Sequence, residues 1–186
     1  MTSWIPNLIT SLRLLLVIPI GISIYQGNDL QALILFIFAG LSDGFDGFLA
    51  RKFNWESKSG ELLDPLADKC LILTTLLALA FANKLPIWLV SILLARDAII
   101  VMGAMLYMMF FDGRNTLSNR WGKHYTGWTI ALFIIVLLQD LLITWPILFS
   151  QLLQIAKIGV LAFTFLSLLS YLRDPGKQIF SQLFYK

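Results

Sequence analysis

Apolar runs alternate with short polar or Pro/Gly-containing breaks along the whole chain. The runs fall at about 6–25, 30–51, 60–82, 86–110, 122–142 and 146–172. A helix needs about 20 residues to cross a bilayer core, so each run predicts one membrane span. The breaks are Gln26-Gly27-Asn28-Asp29, Lys52 to Ser59, Asn83-Lys84-Leu85-Pro86, Phe111 to Trp121, and Ile143-Thr144-Trp145-Pro146. Gly, Pro and Asn at these places are the residues that stop helices. The pattern predicts an all-α, polytopic membrane protein with six transmembrane helices.

Composition agrees. Hydrophobic residues make up 58% of the 186, above the roughly 45–50% of a soluble domain, and six spans leave little chain for anything else. The expectation is one membrane domain over 1–186, without linkers or internal repeats. Cys70 has no second cysteine to pair with and reads as packing. No basic residue precedes the first apolar run and no small-residue cleavage pattern follows it, so that run is read as a retained helix.

Charge sets the expected orientation. The net +3 is spread over several loops instead of lining one face, which argues for membrane orientation and against nucleic acid as a partner. The second break and its flank hold Arg51, Lys52 and Lys58, the fourth holds Arg114, Arg120 and Lys123, and the tail holds Arg173, Lys177 and Lys186. Against these, the remaining breaks have only Lys84. Lys and Arg concentrate in cytoplasmic loops, so the second and fourth loops and both termini are expected in the cytoplasm.

Four acids stand out in so apolar a chain. Asp43 and Asp46 are spaced i,i+3 near the end of the second predicted helix, and Asp64 and Asp68 are spaced i,i+4 at the start of the third, so each pair shares one helix face. A charge at membrane depth costs at least about 2.5–3.5 kcal/mol, and such residues persist facing a polar cavity, a partner or a metal. Four carboxylates close together repel unless cations sit among them, and hard oxygen donors suit Mg²⁺, Mn²⁺ or Ca²⁺. Gly44, Gly47 and Gly60 flank the acids where a ligand needs close approach, Arg51 and Lys52 follow one turn on, and Ser57 and Ser59 add loop hydroxyls. Carboxylate-bound divalent metal beside an arginine suits a diphosphate. The competing bland reading is a set of helix-end acids paired with Arg51, Lys52 and Lys58, which accounts for one or two acids but not four.

The run Asp43-x-x-Asp46-Gly47-x-x-Ala50-Arg51, then Gly60-x-x-x-Asp64-x-x-x-Asp68, resembles the complete signature of the CDP-alcohol phosphotransferases. Ile5-Pro6-Asn7-Leu8-Ile9-Thr10-Ser11-Leu12-Arg13, with Pro19 following, resembles the opening helix of the family's phosphatidyltransferase branch. The resemblance implies six helices around a cytoplasm-facing polar cavity in a bacterial inner membrane, and a homodimer. It implies that Asp43 and Asp64 bridge two divalent ions, Mg²⁺ or Mn²⁺, that Asp46 and Asp68 complete their shells, and that Asp68 is also the proton acceptor. Gly47, Ala50 and Gly60 would border the CDP-lipid, Arg51 and Ser57 would contact its diphosphate, and Pro6, Asn7, Leu8 and Ile9 would line the nucleotide side. The implied reaction moves a phosphatidyl group from CDP-diacylglycerol to a glycerol-type alcohol among the membrane lipids, releasing CMP.

The acceptor is expected from basic residues outside the signature: Arg96, Arg120, Lys123 and His124. Gly122-Lys123-His124-Tyr125-Thr126 resembles the Gly-Lys-x-x-Thr pattern of relatives that use glycerol 3-phosphate. Arg96-Asp97 followed by uncharged residues is nearer to the family's cardiolipin synthases, whose acceptor is phosphatidylglycerol. An intramembrane ion pair fixing helix packing is the equal-weight alternative for Arg96 and Asp97. Two readings from other classes stand beside the enzyme. A divalent-cation transporter would place its acids nearer the bilayer midplane, and an idle lipid-binding scaffold would leave the acid set unexplained.

Overall fold

The computed structural model is all-helical among its described residues. Its helices are α1 (Trp4–Tyr25), α2 (Asp29–Phe53), α3 (Lys58–Phe81), α4 (Ile87–Phe110), α5 (Arg120–Leu141) and α6 (Pro146–Phe184). The structure describes the backbone of residues 4–53, 58–110, 120–142 and 144–184, and the side chains of 10–42, 66–103, 105, 120–142, 144–171 and 173. The six expected helices are all present, and six of their ends move outward: the start of α1, both ends of α2, the starts of α3 and α5, and the end of α6. Lys58 and Ser59, expected in the second loop, form the start of α3; Arg120 and Trp121 open α5; and α6 runs on past 172. The apolar run of α6 ends at about 172, before Arg173-Asp174-Pro175. The backbone nevertheless stays helical to Phe184 in the 39-residue α6.

Two helix ends show why the breaks stop helices. After α1, Gly27 takes φ 75° while its N–H bonds the Ile24 carbonyl and the Asn28 N–H bonds that of Ser23. After α3, Asn83 takes φ 58° with the same pair of bonds, Asn83 N–H to Ala80 and Lys84 N–H to Leu79. Both are Schellman caps, which need a residue tolerant of the left-handed region.

The chain divides into two compact units. The first comprises Met1–Ile87 with Val136–Ile143, and the second Trp88–Ile135 with Thr144–Lys186. In the first unit α1 packs against α2 and α3. Its inward seam is Thr10, Arg13, Val17, Ile20 and Ile24, all buried and spaced three and four residues apart, while Leu15, Ile18, Ile22 and Tyr25 point outward. Opposite the seam, α2 buries Ala32, Leu33, Phe36 and Ala39, and α3 buries Ala67, Leu71, Leu76 and Leu79. A Cβ on Gly21 would stand 3.0 Å from the Thr74 methyl, so the small residue sets how closely α1 meets α3.

In the second unit glycines again mark close packing. A Cβ on Gly159 of α6 would lie 2.5 Å from the Trp128 ring of α5, and one on Gly103 of α4 would lie 2.8 Å from the Tyr171 ring of α6.

Among the described residues, Arg120–Leu141 and Pro146–Tyr171 are long and apolar enough to cross a membrane. Only 33% and 22% of their most apolar stretches are buried, whereas the core helix of a soluble protein would be mostly covered. Ile147, Ile155, Ile158 and Phe165 of α6 all face outward. Water does not tolerate that much contiguous apolar surface, and lipid does. The protein is a membrane protein.

Candidate active site

The signature aspartates sit on two helices that follow one another in the chain. Asp43 and Asp46 are ten and seven residues from the end of α2, and Asp64 and Asp68 are six and ten residues into α3. At 1.5 Å rise per residue, both pairs lie about 10–15 Å along their helices from the 54–57 connection. The i,i+3 and i,i+4 spacings are therefore realised on helical backbone, and each pair occupies one face. The side chains of Asp43, Asp46 and Asp64 lie outside the described residues, as do those of Pro6, Asn7, Leu8, Ile9, Gly47, Ala50, Arg51, Ser57 and Gly60. Among the described residues no three His, Cys, Asp or Glu side chains gather in one place.

Asp68 is described, and it has a partner that sequence reasoning missed. Arg13 Nη1 of α1 donates to Asp68 Oδ1 at 3.0 Å. The Arg13 side chain is completely buried and that of Asp68 is 49% exposed. The cation is thus enclosed by the α1 seam, and the carboxylate it holds stays open to whatever approaches α3. Ala67 and Leu71, buried on either side of Asp68, fix the rotation of α3 that presents it. The missed signal was in the seam: an arginine stands where the three-four spacing of α1 calls for an aliphatic residue. Such a charge implies a partner acid.

The second unit holds the residues expected to meet the acceptor. Arg96 is buried, and its Nε and Nη2 donate to Ser167 Oγ of α6 at 2.9 and 2.8 Å. Its Nη1 donates to Asp97 Oδ1 at 2.6 Å, and its guanidinium lies 4.0 Å from the centre of the buried Tyr125 ring of α5. One side chain of α4 thereby engages both α5 and α6. Ser167 and Tyr125 were not anticipated, because neither carries a sequence signal beyond lying on an apolar helix. Arg120, Lys123 and His124 are exposed on the first turns of α5. The His124 ring stacks on Phe163 at 5.4 Å and meets Trp121 at 6.4 Å, an apolar setting for one face of the imidazole. Thr126 Oγ1 bonds the Gly122 carbonyl at 3.1 Å, so the Gly122 to Thr126 pattern lies on continuous helix.

These features define an all-helical membrane protein whose signature acids lie on α2 and α3 and whose exposed cations lie on the first turns of α5. The family model described as CDP-alcohol phosphatidyltransferase matches residues 3–169, and the chain belongs to that family. It is 34% identical over 156 residues to a cardiolipin synthase (CMP-forming)/mitochondrial hydrolase fusion protein of Schizosaccharomyces pombe, covering 77% of this chain and 26% of the relative. It is 46% identical over 74 residues to a cardiolipin synthase (CMP-forming) of Streptomyces coelicolor, covering 40% and 34%. It is 39% identical over 101 residues to a CDP-diacylglycerol--glycerol-3-phosphate 3-phosphatidyltransferase of Aquifex aeolicus, covering 53% and 57%. The matches thus span from about a quarter to just over half of these relatives' lengths.

The family generally uses divalent metals, and the residues present suit one. The donor set is all carboxylate oxygen, the chemistry of Mg²⁺ and Mn²⁺ sites, with no sulfur or imidazole in the signature.

Proposed function

We propose that the protein transfers a phosphatidyl group from CDP-diacylglycerol to glycerol 3-phosphate, giving phosphatidylglycerophosphate and CMP. The observation that carries this reading is the complete four-aspartate signature on the helical backbone of α2 and α3, in a chain that belongs to the CDP-alcohol phosphatidyltransferase family. The name of the A. aeolicus relative gives CDP-diacylglycerol and glycerol 3-phosphate, and that of the S. pombe relative gives a CMP-forming cardiolipin synthase. Six membrane-spanning helices surround a cytoplasm-facing polar cavity in this reading, within a single domain in a bacterial inner membrane, and two copies associate.

Asp43, Asp46, Asp64 and Asp68 would hold two Mg²⁺ ions. Bound there, the metal supplies positive charge to the donor diphosphate and to the departing CMP. Arg51 and Ser57 hold diphosphate oxygens, while Gly47, Ala50 and Gly60 let the nucleotide lie against the helices, with Pro6, Asn7, Leu8 and Ile9 on its other side. Asp68 accepts the proton of the acceptor hydroxyl as that oxygen attacks the β-phosphorus. The new bond joins the acceptor oxygen to the phosphatidyl phosphorus, and the bond to CMP breaks. The 49% exposure of the Asp68 carboxylate supports its part as a base that must meet an incoming hydroxyl. Arg120, Lys123 and His124, exposed at the start of α5, are the cations for the acceptor phosphate. The bonds of Arg96 to Ser167 and Asp97 support its reading as a packing cation.

A second reading has phosphatidylglycerol as acceptor and cardiolipin as product. Arg96-Asp97 followed by uncharged residues favours it, as does the cardiolipin synthase named among the relatives at 46% identity. Purified protein given CDP-diacylglycerol, Mg²⁺ and either glycerol 3-phosphate or phosphatidylglycerol separates the two by lipid product. Phosphatidylglycerophosphate is expected. Cardiolipin overturns the acceptor, and no CMP with any alcohol overturns the enzyme.

A further inference from the structure

We infer that Arg13 is a positioning residue for the transfer reaction, acting through Asp68; this rests on the function proposed above. Three observations carry it. The Arg13 side chain is wholly buried, it occupies a position of the α1 seam otherwise filled by Thr10, Val17, Ile20 and Ile24, and its Nη1 meets Asp68 Oδ1 at 3.0 Å. A charge so placed disfavours folding unless a partner compensates it, and an aliphatic side chain there would complete the apolar seam. Arg13 therefore adds something that packing does not need. The guanidinium fixes the direction in which a half-exposed carboxylate points, across 55 residues of sequence and from a different helix.

Asp68 has to meet a divalent ion and an incoming hydroxyl. Arg13 holds Oδ1, so the angular spread of the other oxygen narrows. Partners of a metal ligand commonly change metal affinity by about 10- to 100-fold when removed. Arg13 touches neither the donor lipid nor the acceptor in this account, so donor binding should change little when it is replaced.

The test compares the full-length wild type with Arg13→Met and Arg13→Lys in detergent, reading Mn²⁺ binding by electron paramagnetic resonance, melting temperature, kcat and the KM for CDP-diacylglycerol. Arg13→Met is expected to lose about tenfold or more in Mn²⁺ affinity and in kcat, with KM within about twofold when Mn²⁺ saturates both proteins. Arg13→Lys keeps the cation and is expected to recover most of both losses. A folded Arg13→Met with wild-type Mn²⁺ affinity and kcat overturns the inference. Where Arg13→Met alone does not fold, Arg13→Met/Asp68→Asn, which buries no charge, is compared with Asp68→Asn. Equal Mn²⁺ affinity in those two supports action through Asp68, and a further tenfold loss contradicts it. A wild type that binds Mn²⁺ but releases no CMP with any alcohol defeats the proposed function, while the Mn²⁺ comparison still decides the place of Arg13.

Discussion

Lys84 donates to Asp29 Oδ2 at 2.7 Å and also bonds Asp140 Oδ2, so one ammonium joins the first residue of α2 to the last turn of α5. The Schellman cap that ends α3 puts Lys84 where it can reach both. Asp29 lies at the opposite end of α2 from the signature acids, about 21 Å from Asp43 at helical rise. The tie therefore anchors α2 and α3 at the end away from the chemistry.

Replacing Lys84 with Met should destabilise the protein while sparing turnover. Removing one partner of a buried pair costs about 3–5 kcal/mol, and half-exposed Asp140 reduces that to about 1–3. Burial pulls the Lys84 pKa down, and the hydrogen bonds to Asp140 and then Asp29 more than reverse it, leaving it above its ordinary 10.5. A raised pKa gives stability that is complete below the unfolded value and lost as pH rises through the folded one. Thermal unfolding in detergent should thus separate wild type from Lys84→Met equally from neutral pH to about 10, and the gap should close at more alkaline pH.

Gly159 and Gly127 make opposite predictions from the same substitution. A Cβ at Gly159 would stand 2.5 Å from the Trp128 ring, so Gly159→Ala must move a helix or a tryptophan and should cost about 1–3 kcal/mol. Nothing lies within 4 Å of a Cβ at Gly127, where alanine should gain up to about 1 kcal/mol of helix propensity. Melting temperatures of the two variants should fall on opposite sides of the wild type.

Ser167→Ala tests the Arg96 clasp. It removes the acceptor of two guanidinium donors and should cost about 1–3 kcal/mol in thermal unfolding, with the KM for the acceptor unchanged. A rise in that KM without loss of stability would return Arg96 to acceptor binding.

The six helices were legible in the sequence because long apolar runs between helix-stopping breaks announce themselves. The breaks at Gly27 and Asn83 were legible too, since each supplies a left-handed residue that a Schellman cap requires. Boundaries at polar residues were not: Lys52, Lys58, Ser59 and Arg120 read as loop, yet they belong to helices α2, α3 and α5. The long-range pairs were hidden for a different reason. Arg13 and Asp68 are 55 residues apart, and Arg96 and Ser167 are 71 apart, and no local period links them. An interrupted apolar seam says that a partner exists without saying which. The aspartate spacing is realised on helical backbone, whereas the convergence of Asp43, Asp46 and Asp64 with Asp68 rests on the family signature.

Asp68 is the one residue given both metal and proton, so its substitution tests the central claim most directly. CMP release from CDP-diacylglycerol with Mg²⁺ and glycerol 3-phosphate should be measured for wild type and for Asp68→Asn at matched melting temperature. Loss of a general base alone lowers turnover by about 10²–10⁴-fold, and the account predicts a loss at least that large. A folded Asp68→Asn that releases CMP at the wild-type rate would contradict it.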